Sequence, residues 1–167
     1  MPAARKAAAV CYRLNPAGEP EFLLVRNTAN TQWVFPKGTM EVWEAFGHET
    51  AARETWEEAG ARGEMEARRL GVFRHRAWLK KSREWATQQV ETWLMRVTDT
   101  DGTPEPGRAP TWFPLAQAHL ALKGRAGTAA EEGTAAWMLG LAAERIRTLH
   151  AAASGSGNGG SAVSGPA

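Results

Sequence analysis

The 167-residue chain is short of cysteine, of histidine and of net charge, and it has no long apolar run. A single cysteine, Cys11, excludes an internal disulfide and any multi-cysteine zinc site. In its apolar strand-like setting Cys11 reads as a core residue rather than a nucleophile. No apolar stretch approaches the roughly 18–20 residues a membrane-spanning helix needs. The opening, MPAARKAAAVCYRL, is basic, but its apolar stretch from Ala7 to Cys11 stops short of Arg13. A secretory leader needs an apolar core of at least ~7 residues, so the cytoplasm is the expected compartment. Of the four histidines, His75, His119 and His150 show no triad spacing. His48-Glu49 lacks the second histidine of a zincin pair, because Ala52 stands in its place. The net charge of +2 is too small to announce a nucleic-acid binder.

The distribution of charge says more than its sum. Residues 38–58 hold six glutamates (Glu41, Glu44, Glu49, Glu54, Glu57 and Glu58) against one base, Arg53. Residues 74–83 hold Arg74, Arg76, Lys80, Lys81 and Arg83 with His75 and no acid. An acidic segment near a basic one suits a metal-assisted site for an anionic substrate, although two solvated surfaces of opposite sign would read the same way.

The pattern along the chain alternates first. Ala8, Val10, Tyr12 and Leu14 lie on one face of a strand over 6–14, and Asn15-Pro16-Ala17-Gly18 turns it into a second strand over 21–26. Trp33-Val34-Phe35 is a short strand that Pro36-Lys37-Gly38 ends. From Gly47 to Ala59 the spacing is helical, with Ala52, Trp56 and Ala59 in one arc, Glu54, Glu57 and Glu58 opposite, and Gly60 as the C-terminal cap. Strands are expected over 65–77 and 87–97, a loop over 98–110, and a short helix after Trp112-Phe113-Pro114-Leu115. Thr128-Ala129-Ala130-Glu131 has the letters of a capping box for a last helix to about His150. The expectation is one α/β domain over 5–151 and a disordered Gly/Ser-rich tail over 152–167. A glycine fingerprint in that tail, Gly155-Ser-Gly157-Asn-Gly-Gly160, follows a helix rather than a strand and is accidental. Trp33, Trp56, Trp93 and Trp137 sit in apolar patterns and are expected in the core.

Glu54, Glu57 and Glu58 stand at i, i+3 and i+4, so all three can converge beside one helix. Three like charges that close repel, and solvent or a cation must compensate. Hard cations such as Mg²⁺ take oxygen ligands and bind through a few carboxylates plus substrate phosphates. An ordinary acidic solvated helix face has the same spacing.

The surrounding residues add a motif. Gly38, five residues, Glu44, eight residues, then Arg53-Glu54-Thr55-Trp56-Glu57-Glu58-Ala59-Gly60-Ala61 closely resembles the Nudix box. The box places seven residues between its first glutamate and its arginine, and aliphatic residues where Thr55 and Ala61 stand here. The resemblance implies a Nudix-like α/β/α sandwich around a mixed sheet. It implies Mg²⁺ or Mn²⁺ held by Glu54 and Glu58, with Glu57 as a further ligand or as the base that activates water. Arg53 would orient the glutamates together with Glu44, and the backbone around Gly38 would lend a carbonyl. The implied reaction is metal-assisted attack of water on phosphorus in a diphosphate linkage.

Trp33-Val-Phe-Pro-Lys-Gly leading into the box resembles the branch with diadenosine polyphosphate and diphosphoinositol polyphosphate hydrolases. That likeness implies a small, highly phosphorylated substrate met by Lys37, Arg74, Arg76 and Lys80, with Lys81 as a further candidate. Glu91, Glu131 and Glu132 are candidates for a carboxylate recruited from outside the box. Two rival readings stand beside the enzyme: a Nudix-fold binding or regulatory module with little turnover, and a nucleic-acid binder using 74–83. Three mutually repelling carboxylates favour the enzyme, and the small net charge argues against nucleic acid. No membrane partner is expected, and no pattern specifies an oligomer.

Overall fold

In the computed structural model, which describes residues 4–123 and 130–155, β1 (Lys6–Leu14) runs through the middle of the sheet. The Asn15 side chain makes the turn after it, accepting the N–H groups of Ala17 and Glu19 at 2.9 Å each. β2 (Pro20–Arg26) then returns antiparallel to β1. β3 (Trp33–Val34) pairs with β2, and β4 (Lys37–Thr39) pairs with the start of β1. The Pro36-Lys37-Gly38 turn of the sequence reading is therefore a short strand. Its pairing partner lies thirty residues away, which local breaker content does not reveal.

α1 (Gly47–Ala59) follows, then β5 (Arg62–Met65), β6 (Gly71–Leu79) and the long β7 (Glu84–Asp99). β8 (Thr111–Pro114), α2 (Leu115–Lys123) and α3 (Ala135–Gly155) complete the described chain. The path β3-β2-β1-β7-β5 forms the spine of an eight-stranded sheet, with β4 beside β1, β6 beside β7 and β8 beside β2. Among the described strands only β1 and β7 run parallel, so the sheet is mixed, as expected.

Both faces of the sheet are covered. Ala8, Val10, Tyr12, Phe22, Leu24 and Leu94 pack under α2 and α3 with Ala118, Met138, Leu139, Ala142 and Ile146. Ala7, Ala9, Cys11, Leu23 and Val25 pack under α1 with Ala51, Ala59 and Trp93. β1 thus buries both its alternating sets, as a central strand between helical layers does. The small residues of its second face, Ala7, Ala9 and Cys11, let α1 lie close. The fold is the α/β/α sandwich that the sequence implied.

α1 sits one step round from the face its letters suggested. Thr50, Ala51, Thr55, Glu58 and Ala59 are buried, whereas Ala52 is exposed and Trp56 is 40% exposed. Trp56 lies outside the core, with the Arg62 guanidinium 5.1 Å from its ring centroid. Trp93 is buried as expected, and Trp33 and Trp137 pack partly buried against the core. α3 begins at Ala135, later than the capping-box reading placed it, and Thr134 caps it by accepting the Trp137 N–H at 3.3 Å. Thr128 and Ala129 lie outside the described residues. The helix runs on to Gly155, past the expected start of the tail, and the expectation for 156–167 also lies outside the described residues. Among the described residues no helix is long and apolar enough to cross a membrane.

Candidate active site

The site grows from the loop Met40–Phe46 and the solvent edge of α1. Glu49 fixes the entry to the helix: its carboxylate accepts the N–H groups of Ala45 and Phe46 at 2.8 and 3.1 Å. His48 stacks on Phe46, so His48-Glu49 is a structural pair. At the far end Gly60, at φ +62°, closes the helix in the left-handed conformation. The helix is unbroken between these ends, and the eight-residue spacer still lets Glu44 reach Arg53. Arg53 Nε donates to Glu44 Oε1 at 2.5 Å, and Glu44 also accepts from the Thr50 hydroxyl at 2.5 Å and the Glu41 N–H at 2.8 Å. Those donors, Arg53 first, hold the Glu44 carboxyl down at about 2.

Arg53 does more than hold Glu44. Its Nη1 contacts Glu54 at 3.0 Å and Glu57 at 3.2 Å, and its Nη2 donates to the Thr39 carbonyl at 3.1 Å. One guanidinium therefore orients two box glutamates and ties them to β4. Glu58 turns the other way, into the protein, where it is 3% exposed. Its Oε1 lies 3.6 Å from Nη2 of Arg108, and its Oε2 is buried with no hydrogen-bond partner among the described residues. Burial pushes the Glu58 carboxyl up to about 8, against the pull of Arg108 and with the added repulsion of Glu54. Burial also raises Glu54.

Arg108 is a site residue the sequence reading missed. It sits in the loop before β8, anchored by Glu105 at 2.9 Å and by the Arg26 carbonyl at 3.2 Å. Nothing in that Gly- and Pro-rich loop marks one arginine as special. Thr55, which stands where the motif has an aliphatic residue, satisfies its buried hydroxyl on the Ala51 carbonyl at 2.7 Å. Cys11 lies beside it, fully buried, its thiol pushed up to about 12 mainly by that burial.

Among the described residues, no three His, Cys, Asp or Glu side chains are gathered as a metal cluster. Glu54 and Glu57 are held by Arg53 and Glu58 faces Arg108. The residues nevertheless fit a hard divalent cation. The donors are all carboxylate oxygens, and one of them, Glu58 Oε2, is buried without a hydrogen-bond partner among the described residues. Gly38 leaves the room that Glu54 occupies, since a Cβ at this position would strike the Glu54 carboxylate.

A cavity of about 340 Å³ lies beside these residues, and Lys37 joins the two. Lys37 lines the cavity while its pKa is lowered by burial and drawn back up by Glu58 and Glu54. Arg74 and Arg76 line the same cavity, together with Arg26, His75 and Lys123, which the sequence reading had not selected. Arg74 also donates to the Glu132 carbonyl at 3.0 Å. Lys80 does not line the cavity; it lies in the turn between β6 and β7 with Lys81. Of the carboxylates considered outside the box, Glu91 is bracketed by Arg5 and Arg69 at 2.9 and 2.7 Å. Glu131 and Glu132 lie in the turn that leads to α3, beside Arg74.

Fold and site together define a three-layer α/β domain with an arginine-clasped acidic helix beside a cation-lined cavity. Residues 4–132 match the NUDIX domain, and the chain belongs to that family. Diphosphoinositol polyphosphate phosphohydrolase 2 of Mus musculus is 33% identical over 115 residues, which cover 68% of this chain and 60% of that protein. Diphosphoinositol polyphosphate phosphohydrolase 3-beta of Homo sapiens is 34% identical over 115 residues, covering 68% of this chain and 66% of that one. The match thus spans about three-fifths to two-thirds of these relatives' length. Among solved structures, the C. elegans Ap4A hydrolase binary complex superposes with a TM-score of 0.59 at 23% identity, over 92% of this chain and 99% of that one. The NUDIX domain of Shewanella oneidensis NrtR, complexed with ADP ribose, gives 0.62 at 14% identity over 87% and 90%. These two likenesses concern the fold.

Proposed function

We propose that the chain is a Nudix pyrophosphohydrolase that uses Mg²⁺ or Mn²⁺ to hydrolyse a diphosphate linkage in a small polyphosphorylated molecule. The observation that carries this reading is the buried Glu58 carboxylate oxygen, without a hydrogen-bond partner among the described residues, next to Lys37, which also lines the basic cavity. Such an oxygen is costly to bury unless a cation or donor completes it. Glu54 and Glu58 would hold the metal, with the Gly38 carbonyl and Glu57 as further candidates. When bound, the ion would polarise the reacting phosphate, help to activate water and neutralise charge on the leaving oxygen.

Arg53, fixed by Glu44, sets the direction of the Glu54 and Glu57 carboxylates. Glu57, on the open side of α1, would take a proton from the attacking water. Lys37, Arg74 and Arg76 neutralise the phosphates in the cavity, and Arg26 and Lys123 add charge for a longer phosphate chain. This favours substrates with several phosphates, such as diadenosine polyphosphates or inositol pyrophosphates, over a lone diphosphate. Glu44, Arg53 and Glu57 form the catalytic group of this reading.

The test is product release over diadenosine polyphosphates, inositol pyrophosphates, ADP-ribose and nucleoside triphosphates, with Mg²⁺ or Mn²⁺ at mildly alkaline pH. We expect metal-dependent turnover, highest on the most phosphorylated substrates, that Glu57→Gln and Glu58→Gln reduce by about 10²-fold or more. A folded protein that binds one of these molecules and turns over none would instead be a binding module.

A further inference from the structure

The β6–β7 hairpin reaches past the body of the sheet. β1 borders β7 only from Val90 onward and β5 only from Met95 onward, so Glu84–Gln89 pair with β6 alone. The result is a two-stranded ribbon closed by Lys80-Lys81-Ser82-Arg83. The Arg83 N–H donates to the Leu79 carbonyl at 2.8 Å, and Arg83 adopts φ +55° to make the turn.

Directly paired residues of an antiparallel ribbon share a face. One face of this ribbon therefore carries Arg74 opposite Gln89, Arg76 opposite Thr87, and Trp78 opposite Trp85. The two indoles meet edge to face with centroids 5.6 Å apart, yet remain 49% and 57% exposed. Arg76, which also lines the basic cavity, lays its guanidinium 5.4 Å from the Trp85 ring centroid. Among the described residues Arg76, Lys80, Lys81 and Arg83 have no ion-pair partner.

Exposed rings beside unpaired cations on a projecting ribbon match what a single nucleic-acid strand requires. Its bases stack on aromatic faces irrespective of sequence, and its phosphates meet positive side chains. A duplex keeps its bases stacked on one another and offers the indoles nothing. A second copy of the ribbon would bring like charges together. The small net charge that argues against nucleic acid at the level of the whole chain conceals this local concentration. We propose that the β6–β7 ribbon docks single-stranded nucleic acid, with Trp78 and Trp85 stacking on bases and Arg76, Lys80, Lys81 and Arg83 meeting phosphates.

The proposal shares only Arg76 with the hydrolytic reading and is tested without metal, on residues outside that site. Binding of the full chain to fluorescein-labelled oligothymidylate of about 15 nucleotides is followed in EDTA by anisotropy and tryptophan quenching. We expect binding at low salt, weaker affinity for duplex DNA of the same length, and quenching on the single strand. Trp85→Ala should weaken binding by about fivefold or more, whereas Trp85→Tyr should retain most of it. Converting Lys80, Lys81 and Arg83 together to Gln should flatten the plot of log affinity against log salt by about 2, since each phosphate contact on a single strand contributes ~0.7. Thermal melting checks that each variant folds. If Trp85→Ala does not fold, Trp85→Tyr and the triple Gln variant decide. No binding at low salt would overturn the proposal. So would equal affinity for duplex, affinity unchanged by removing both indoles, or sedimentation showing that the indoles hold two copies together.

Discussion

Glu44, just before the start of α1, and Glu58, in its last turn, illustrate how environment divides one chemistry. The side chains of Glu44 and Glu58 are both little exposed, but Glu44 accepts from Arg53, Thr50 and the Glu41 N–H and stays ionised. Glu58 has Arg108 at 3.6 Å and an oxygen with no hydrogen-bond partner among the described residues, so burial dominates and raises its pKa to about 8. The first is a fixed anchor for Arg53; the second is the group a cation would complete. Neither difference was legible in the sequence, where both are simply box glutamates, because it depends on Arg108 and on loops distant in the chain. His75 gives a testable consequence at the same scale. Burial, with Lys37 and Lys6 nearby, lowers its pKa from 6.5 to about 4. The unfolded chain therefore takes up this proton first, so stability falls as pH drops from 6.5 toward 4 and is untouched above 6.5. In urea titrations across that window, His75→Gln should lose less stability than the parent chain on acidification. Equal losses would show that His75 is not held neutral by the fold.

At the scale of elements, α1 was the most legible part of the chain, and its ends agree with the sequence reading at Gly47 and Ala59. Periodicity and the Gly60 cap are local signals, and they sufficed. The orientation of that helix was misread, because apolar letters suggested Ala52 and Trp56 as the inward face. The protein instead buries Thr50, Thr55 and Glu58, each with a reason beyond hydrophobicity: a bond to Glu44, a bond to Ala51, and a place in the candidate site. Rules of apolar periodicity fail where a helix turns a functional face toward the interior. A pair of substitutions separates the two kinds of tryptophan. Trp93→Ala should cost about 3–5 kcal/mol, as loss of a buried aromatic does. Trp56→Ala should cost clearly less, since that ring lies at the surface against Arg62. Comparable costs in denaturant unfolding would contradict this packing. β4 and the start of α3 were missed for a related reason. One is defined by its pairing with β1, and the other is capped by Thr134 rather than by the earlier box-like letters.

On the scale of the whole molecule, the sheet brings together what the chain keeps apart. Glycine and glutamates of residues 38–58, Lys37 of β4, Arg74 and Arg76 of β6, and Arg108 of the loop before β8 converge around α1 and the adjoining cavity. The motif revealed the carboxylates and two charge-rich segments revealed much of the cavity. Arg26, Arg108 and Lys123 were invisible because isolated basic residues gain meaning only from tertiary placement. Membership of the NUDIX family fits this architecture, and the proposed reaction is water attack at phosphorus within a polyphosphate. The most direct measurement is turnover of diadenosine tetraphosphate or an inositol pyrophosphate with Mg²⁺ in ¹⁸O-labelled water, read by ³¹P NMR. We expect an isotope-shifted phosphorus resonance in one of the two products and none in recovered substrate, with both turnover and label lost in Glu58→Gln. Products whose phosphorus carries no label, or equal labelling by the Glu58→Gln protein, would contradict it.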